Sequence, residues 1–383
     1  MAAVMNGLYE QLSEDEEMIM TTVKDLVKDK IADRSAEIDK TGEFPWDIVD
    51  LYRETGILSL PIPEEYGGGG VHELVNCMVL EEIAKTCANS AHALADHWLG
   101  ITPLIIAGNE EQNQKFFTEW LTRLAAFSLT EPEAGSDASG VKTKAVLQGG
   151  EYVLNGSKCF CTDANEADFI TVFAKTDPTA GTKGLSAFIV DKATDGISIG
   201  KIEDQMGMRG TRACEVILED CHVPQGNLLG KEGHGFRIAM QTLDRTRCTD
   251  AALALGIAEG AMAYALDYAK ERRQFGQAIA DFQGIQFMLA DMGMAIESAR
   301  QLVYKASYLI DHGGPDGTAS AMANCYATDI AVKVTNDAMQ ILGGYGYMRD
   351  YPLEQKMRDA RLFQIVEGTN QVQRIVMARG LLA

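Results

Sequence analysis

A change in hydrophobic period limits what this chain can fold into more than any other feature. Between Ala126 and about Leu229 it is written in short runs of β-branched and aromatic residues broken by turn formers: "EYVLNG", "DFITVFAKT", "LSAFIV" and "ACEVILEDCHV". Such runs predict strands. On both sides apolar residues return at helical spacing. Upstream, Ser13 and Glu16 make a capping box ahead of Ile19, Val23, Leu26, Val27 and Ile31. "FPWDIVDLYRETGIL" predicts a second helix, with Pro45 in its first turn and Gly56 at its end. "PIPEEYGGGG" reads as a loop, and helical text resumes from about Glu73 to Ile106 and from Glu110 to Arg123. Downstream lie four long segments, roughly 234–271, 282–311, 317–342 and 354–380. Their short joints, "RRQFGQAIADF", "DHGGPDG" and "GGYGYMRDYP", predict an antiparallel four-helix bundle. The fold class is therefore α+β, in three domains: an all-α N-terminal domain (1–125), a middle β domain (126–232) and a C-terminal four-helix bundle (233–383). There is no β-α-β alternation and no G-x-G-x-x-G, which excludes a Rossmann domain.

The charge balance narrows the functional classes. A formal net charge of −21 over 383 residues leaves nothing to neutralise phosphates in bulk, so nucleic acid is not the partner. A local basic pocket could still hold an anionic ligand. The eight cysteines form no C-x-x-C and no zinc spacing. They read as reduced thiols of an intracellular, cytoplasmic protein without a structural metal. The N-terminus lacks a basic region followed by an apolar core, and no apolar run approaches the roughly 18 residues of a membrane span.

Near the end, "IVEGTNQVQR" (Ile365–Arg374) sets Glu367 between Val366 and Gly368. One reading is a carboxylate at a helix start, favoured by the helix dipole. The other is a catalytic base. Four motifs bear on the choice: "LTEPEAGSDASG" (Leu129–Gly140), "NGSKCFCT" (Asn155–Thr162), "ERRQFGQAI" (Glu271–Ile279) and "QILGGYGY…RDARLFQIVEGTNQVQR" (Gln340–Arg374). In this order and spacing, over nearly the whole chain, they resemble the acyl-CoA dehydrogenase family. The resemblance implies that family's fold, with a barrel-like middle domain. It also implies an FAD enzyme that introduces an α,β double bond into an acyl-CoA thioester. A base removes the α-proton, the β-hydrogen passes as hydride to flavin N5, and an electron-transferring flavoprotein takes the electrons. The family further implies a homotetramer, a dimer of dimers. An oxidase or an enoyl-CoA reductase on the same fold, and a non-catalytic flavoprotein scaffold, are the competing classes. The chain is short for the oxidases, and a scaffold would have little reason to keep Glu367.

Residue by residue, the resemblance makes Glu367 the base, where desolvation would raise a carboxyl toward useful basicity. The alternative base position on the first bundle helix is Thr246, which cannot serve. Phe127, Leu129 and Thr130 would line the isoalloxazine, and Phe160 and Thr162 would pack on it. Ser136 would meet the flavin pyrophosphate or the CoA arm. Phe127 stands where Tyr is more usual, and Phe160 where Trp is common. Arg272, Phe275 and Gln283, with Gln340, Gly343 and Gly344, would reach the flavin of a neighbouring subunit. Thr369 and Gln371 would touch its ribityl and adenosine side, and Asp244 and Arg247 the CoA moiety. Gly368 and Val366 would border the acyl group, Val366 leaving room where Tyr is frequent. In "SAHALADHWLG", on the expected far wall of the acyl cavity, Asp96 is unusual. A buried Asp there must face water, pair with His97, or meet the substrate. No arginine is present on that wall to hold a distal carboxylate. These departures favour a cyclic or branched acyl group such as cyclohexanecarboxyl, with butyryl as the alternative.

Overall fold

The computed structural model describes residues 12–383; the start of the expected N-terminal domain, where a leader would lie, falls outside them. The chain forms two compact units, each from discontinuous stretches. Met1–Lys40, Val71–Ala91 and Arg247–Ala383 make a helical unit; Thr41–Gly70 and His92–Thr246 make a unit that contains the sheet.

The helices before the sheet are α1 (Glu14–Leu26), α2 (Ser35–Thr41), α3 (Trp46–Glu54), α4 (Glu73–Ala84), α5 (Ala88–Ala107) and α6 (Glu110–Trp120). The Ser13 capping box starts α1: Ser13 Oγ accepts from Glu16 N–H, and Glu16 Oε2 accepts from Ser13 N–H at 2.9 Å. Pro45 caps α3 from outside rather than occupying its first turn, and Gly56 ends that region in a left-handed turn at φ 75°. The expected loop "PIPEEYGGGG" holds one 3₁₀ turn, Glu64–Tyr66.

The strands are β1 (Ala125–Ser128), β2 (Lys144–Gln148), β3 (Glu151–Thr162), β4 (Phe169–Lys175), β5 (Leu185–Asp191), β6 (Ile197–Ile202), β7 (Ala213–Pro224) and β8 (Leu228–Leu229). They form one mixed sheet in the order β6-β7-β3-β2-β4-β5-β8, with β1 parallel to β4. The four runs read from sequence are β3, β4, β5 and β7. One core of the sheet gathers Tyr152, Leu154, Ile170, Val172, Phe188, Val190 and Val216. Each such side chain contributes roughly 1.5–3 kcal/mol on burial, and the Tyr152 and Phe188 rings meet at 4.9 Å.

After the sheet come α7 (Gly235–Glu271), a hairpin of β9 (Arg273–Gln274) and β10 (Gln277–Ala278), then α8 (Gln283–Gly313) and α9 (Gly317–Leu342). The fourth expected bundle segment is not one helix. It divides into α10 (Leu353–Leu362) and α11 (Asn370–Leu382), because Glu367 and Gly368 take positive φ of 51° and 93°, which a right-handed helix cannot continue through.

Candidate active site

The break between α10 and α11 is built to carry Glu367. A non-glycine residue in the left-handed region costs roughly 1–2 kcal/mol and persists only where its surroundings over-determine it. Here they do. Gln373 Nε2 donates to the Glu367 carbonyl at 3.0 Å and to the Gly368 carbonyl at 2.8 Å. Arg247 Nε, from α7, reaches the same Glu367 carbonyl at 3.4 Å. Both of these side chains are buried. Asp329 of α9 gathers the flanks of the turn, accepting from Gln364 Nε2 at 2.6 Å, Asn370 Nδ2 at 2.7 Å and Arg374 at 2.6 Å. The N-cap of α11 is Thr369, whose hydroxyl accepts from Val372 N–H at 3.3 Å. Glu367 therefore lies outside the first turn and is not the cap of α11; its side chain is half-buried.

In the sheet unit, the motifs of Phe127–Thr130 and Phe160–Thr162 are tied to each other. Cys159 N–H donates to the Thr130 carbonyl at 2.9 Å. Lys158, with no exposed surface, donates from Nζ to the Leu129 carbonyl at 3.0 Å and to Glu131 Oε1 at 2.8 Å. A β-bulge against β7 between Lys158 and Cys161 turns Phe160 to φ 54° and leaves it 65% exposed. Phe127 is half-buried against Phe173, ring to ring at 5.0 Å. Leu129 is buried, Thr130 and Thr162 are half-buried, and Ser136 is exposed.

The remaining cofactor candidates collect in the helical unit. Arg272, Tyr268, Gln274, Ile279, Gly343 and Gly344, with Tyr345, line a groove of about 440 Å³. The Arg272 guanidinium sits 5.5 Å from the Tyr345 ring. Phe275 tips the β9–β10 hairpin, 94% exposed at φ 51°, followed by Gly276 at 82°. Positive φ at both central residues is the two-residue turn that matches strand twist. Gln283 and Gln340 are exposed. A side chain at Gly344 would meet nothing within 4 Å, so nothing in the chain itself requires glycine there. An exposed cation, outward aromatic rings and an open glycine floor fit a flat, pyrophosphate-bearing dinucleotide such as FAD.

Asp96 is 8% exposed on α5, and of the three alternatives the pairing with His97 is not the one seen. His92, one turn earlier, places Nδ1 3.1 Å from Asp96 Oδ2 and 2.8 Å from Thr211 Oγ1. His97 instead turns to β1, its Nδ1 accepting from Ala125 N–H at 3.1 Å. Helical periodicity explains the substitution: i and i+4 share a face, whereas neighbours do not. Burial pushes His92 down to about 4 and His97 down to about 3. His92 is thus neutral near pH 7.

Of the substrate candidates, Arg247 is buried against the Glu367 backbone, Asp244 is half-buried on α7, and Val366 and Gly368 flank the base on its turn. Sequence reasoning missed Gln373, Asp329, Lys158 and Glu131, although all but Asp329 lie inside quoted motifs. It also missed Asp250, buried on α7 one turn after Arg247, whose carboxyl burial pushes up to about 7.

Among the described residues no helix is long and apolar enough to cross a membrane, and no cluster of His, Cys, Asp and Glu could hold a metal ion. Residues 13–126, 126–221 and 233–382 match the N-terminal, middle and C-terminal domains of acyl-CoA dehydrogenase. Butyryl-CoA dehydrogenase from Megasphaera elsdenii superposes with a TM-score of 0.95 at 42% identity, covering 98% of this chain and all of that one. A structure named for the electron transferring flavoprotein of Acidaminococcus fermentans superposes equally well, TM-score 0.95 at 48% identity, over 98% and 100% of the two chains. Cyclohex-1-ene-1-carbonyl-CoA dehydrogenase of Syntrophus aciditrophicus is 44% identical over 97% of this chain and 91% of its own length. With all three domains matched in order and the site motifs held in these constructions, the chain belongs to the acyl-CoA dehydrogenase family of FAD-dependent oxidoreductases.

Proposed function

We propose that the enzyme dehydrogenates the α,β bond of an acyl-CoA thioester with Glu367 as the base. The observation that carries this is the turn itself: a carboxylate on a strained backbone, clamped through its own carbonyl by Gln373 and Arg247. A thioester α-proton is weakly acidic, so its removal needs a carboxylate held in place rather than a mobile one. Clamping the peptide fixes where the carboxylate can reach. FAD, when bound, supplies the two-electron acceptor for the β-hydrogen. Phe127, Leu129, Thr130, Phe160 and Thr162 would hold its ring; Arg272, Phe275, Gln283, Gln340, Gly343 and Gly344 would hold the cofactor of a second copy, in a dimer of dimers. Thr369 and Gln371 would contact its ribityl and adenosine side. Ser136 and Asp244 would meet the CoA arm, with Arg247 dividing its role between that and the turn. An electron-transferring flavoprotein would take the electrons. Eight free cysteines suit a reducing cytoplasm.

For the acyl group we infer a compact alicyclic chain such as cyclohexanecarboxyl or its cyclohexenyl relative. Val366 beside the base is small, and Asp96 is a buried acid on α5; the Syntrophus relative is named for such a substrate. The second reading, a short linear acyl group such as butyryl, is favoured by the His92 contact, which gives Asp96 a structural employment. A panel of cyclohexanecarboxyl-, cyclohex-1-ene-1-carbonyl-, isobutyryl- and butyryl-CoA, scored by anaerobic bleaching of the bound flavin, decides. The alicyclic thioesters are expected to bleach fastest; preference for butyryl-CoA establishes the second reading, and no bleaching by any removes the dehydrogenase assignment of this site.

A further inference from the structure

Lys158 and Glu131 form a buried ion pair for which the reaction has no evident use. Lys158 has no exposed surface and Glu131 is 7% exposed. Fully buried charges are costly, and an ion pair only offsets that cost when its remaining donors and acceptors are satisfied. These are satisfied in a particular way. Glu131 Oε2 accepts from Lys142 N–H at 2.6 Å and Oε1 from Thr143 N–H at 3.0 Å. Lys158 spends its second hydrogen bond on the Leu129 carbonyl. The pair therefore grips the residue before Thr130 and the residue after it, while Cys159 N–H takes the carbonyl of Thr130 itself. Thr130 thus has its own carbonyl and both neighbouring residues held, and its side chain is half-exposed. The bulge that aims Lys158 inward is the one that turns Phe160 outward. One irregularity in β3 thus sets the position of both motifs.

We propose that the Lys158–Glu131 pair is a positioning device for the cofactor, fixing Leu129 and Thr130 in register with Phe160 so that FAD meets a preformed edge. The proposal rests on the reading of Thr130 and Phe160 as flavin contacts. If the pair served stability alone, a neutral replacement that keeps the fold would leave the flavin untouched, since apolar or neutral replacements of buried ion pairs are often tolerated. If it positions Thr130, the loss of the ammonium frees the Leu129 carbonyl, and the ring edge loses its fixed partner.

The test uses the holoenzyme and two variants. Glu131→Gln with Lys158→Met removes both charges and retains an acceptor for one of the two amides, Lys142 or Thr143, that Glu131 holds. Its thermal midpoint is compared with wild type, its FAD dissociation constant is measured from the fluorescence of released FAD on dilution, and its visible absorption and circular dichroism bands are recorded. Thr130→Val is measured beside it and reports on the reading itself. The expected result is a double variant that folds, binds FAD at least about tenfold more weakly and has shifted flavin bands, with shifted bands also in Thr130→Val. Native flavin behaviour in a folded double variant overturns the positioning role while a shifted Thr130→Val keeps the flavin reading. Native bands in Thr130→Val remove that reading and the proposal with it. Should the double variant not fold, Lys158→Arg takes its place: it keeps the charge but redirects the donors, and unchanged FAD affinity there overturns the proposal equally.

Discussion

Glu367 and Asp96 are two carboxylates on opposite kinds of support. Glu367 rides a turn whose backbone is in the left-handed region, and Gln373 and Arg247 apply their hold to its carbonyl. Asp96 rides the middle of α5, an ordinary helix, and His92 applies its hold to the carboxylate. The difference separates a carboxylate positioned through its backbone from one contacted at its side chain. The bonds from Gln373 and Arg247 go to the Glu367 backbone carbonyl. The Asp96 carboxylate itself meets His92, whose Nδ1 also lies 2.8 Å from Thr211 Oγ1.

The largest expected effect breaks the comparison at its first member. Glu367→Gln preserves size and removes basicity, so it should fold, retain FAD and bind acyl-CoA, yet bleach the flavin more slowly by roughly 10²–10⁴-fold. Anaerobic stopped-flow with the best substrate of the panel measures this. Wild-type bleaching in the variant would move the base elsewhere, with Asp96 the first residue to examine.

A smaller effect sharpens the second member. Val366→Tyr should lower kcat/KM for cyclohexanecarboxyl-CoA relative to butyryl-CoA by about ten- to a hundredfold, because overpacking costs roughly 1–3 kcal/mol. Asp96→Asn keeps the shape. A loss confined to the alicyclic thioester gives Asp96 a part in handling the ring; an equal loss on both substrates makes it a structural partner of His92. Ratios unchanged in both variants would leave the alicyclic reading without support from these two positions.

The smallest effect compares buried acids with buried bases through pH. His97 is held neutral, its value about 3 against 6.5 for an ordinary histidine. The unfolded chain therefore takes up a proton that the folded one refuses, and stability falls as pH drops from about 6.5 toward 3. Asp250, pushed up to about 7, has the reverse sign. Its folded form stays protonated after the unfolded one has ionised, so stability falls as pH rises from about 4 to 7. Asp250→Asn should raise Tm at pH 8 by on the order of 5 °C and change it little at pH 4; calorimetry at the two pH values checks the sign. A gain of equal size at both would mean that the group is not titrating in this window.

What could be read from the sequence followed the strength of local pattern. The β-branched and aromatic runs of β3, β4, β5 and β7 are legible. β1 and β8 are too short to alternate, β2 opens and closes on polar residues, and β6 carries a glycine and lies half-exposed. The helical text of α10 and α11 reads as one segment because apolar periodicity survives the break; only the Glu367–Gly368 pair signals it, and φ is not written in composition. His92 was overlooked as the partner of Asp96 because adjacency in sequence drew attention to His97, whereas a helix pairs every fourth residue. Gln373, Lys158 and Glu131 lay inside motifs already quoted, but their work is done on backbone groups, which leave no trace in residue type.

The way the chain weaves between its two units has a consequence for how it is made. Unit membership changes at Lys40, Gly70, Ala91 and Thr246, so the sheet unit has all its residues once Thr246 has emerged from the ribosome. The helical unit waits for the end. Asp39 pairs with Arg358 at 2.7 Å across 319 positions, and at roughly 5–20 residues per second that partner arrives about 16–64 s later. During that interval the early helices are a nascent segment in need of shelter from other chains, while the sheet can already be complete. Synthesis order therefore favours the half with Thr130 and Phe160 over the half with Glu367, and the base is among the last parts of the enzyme to find its place.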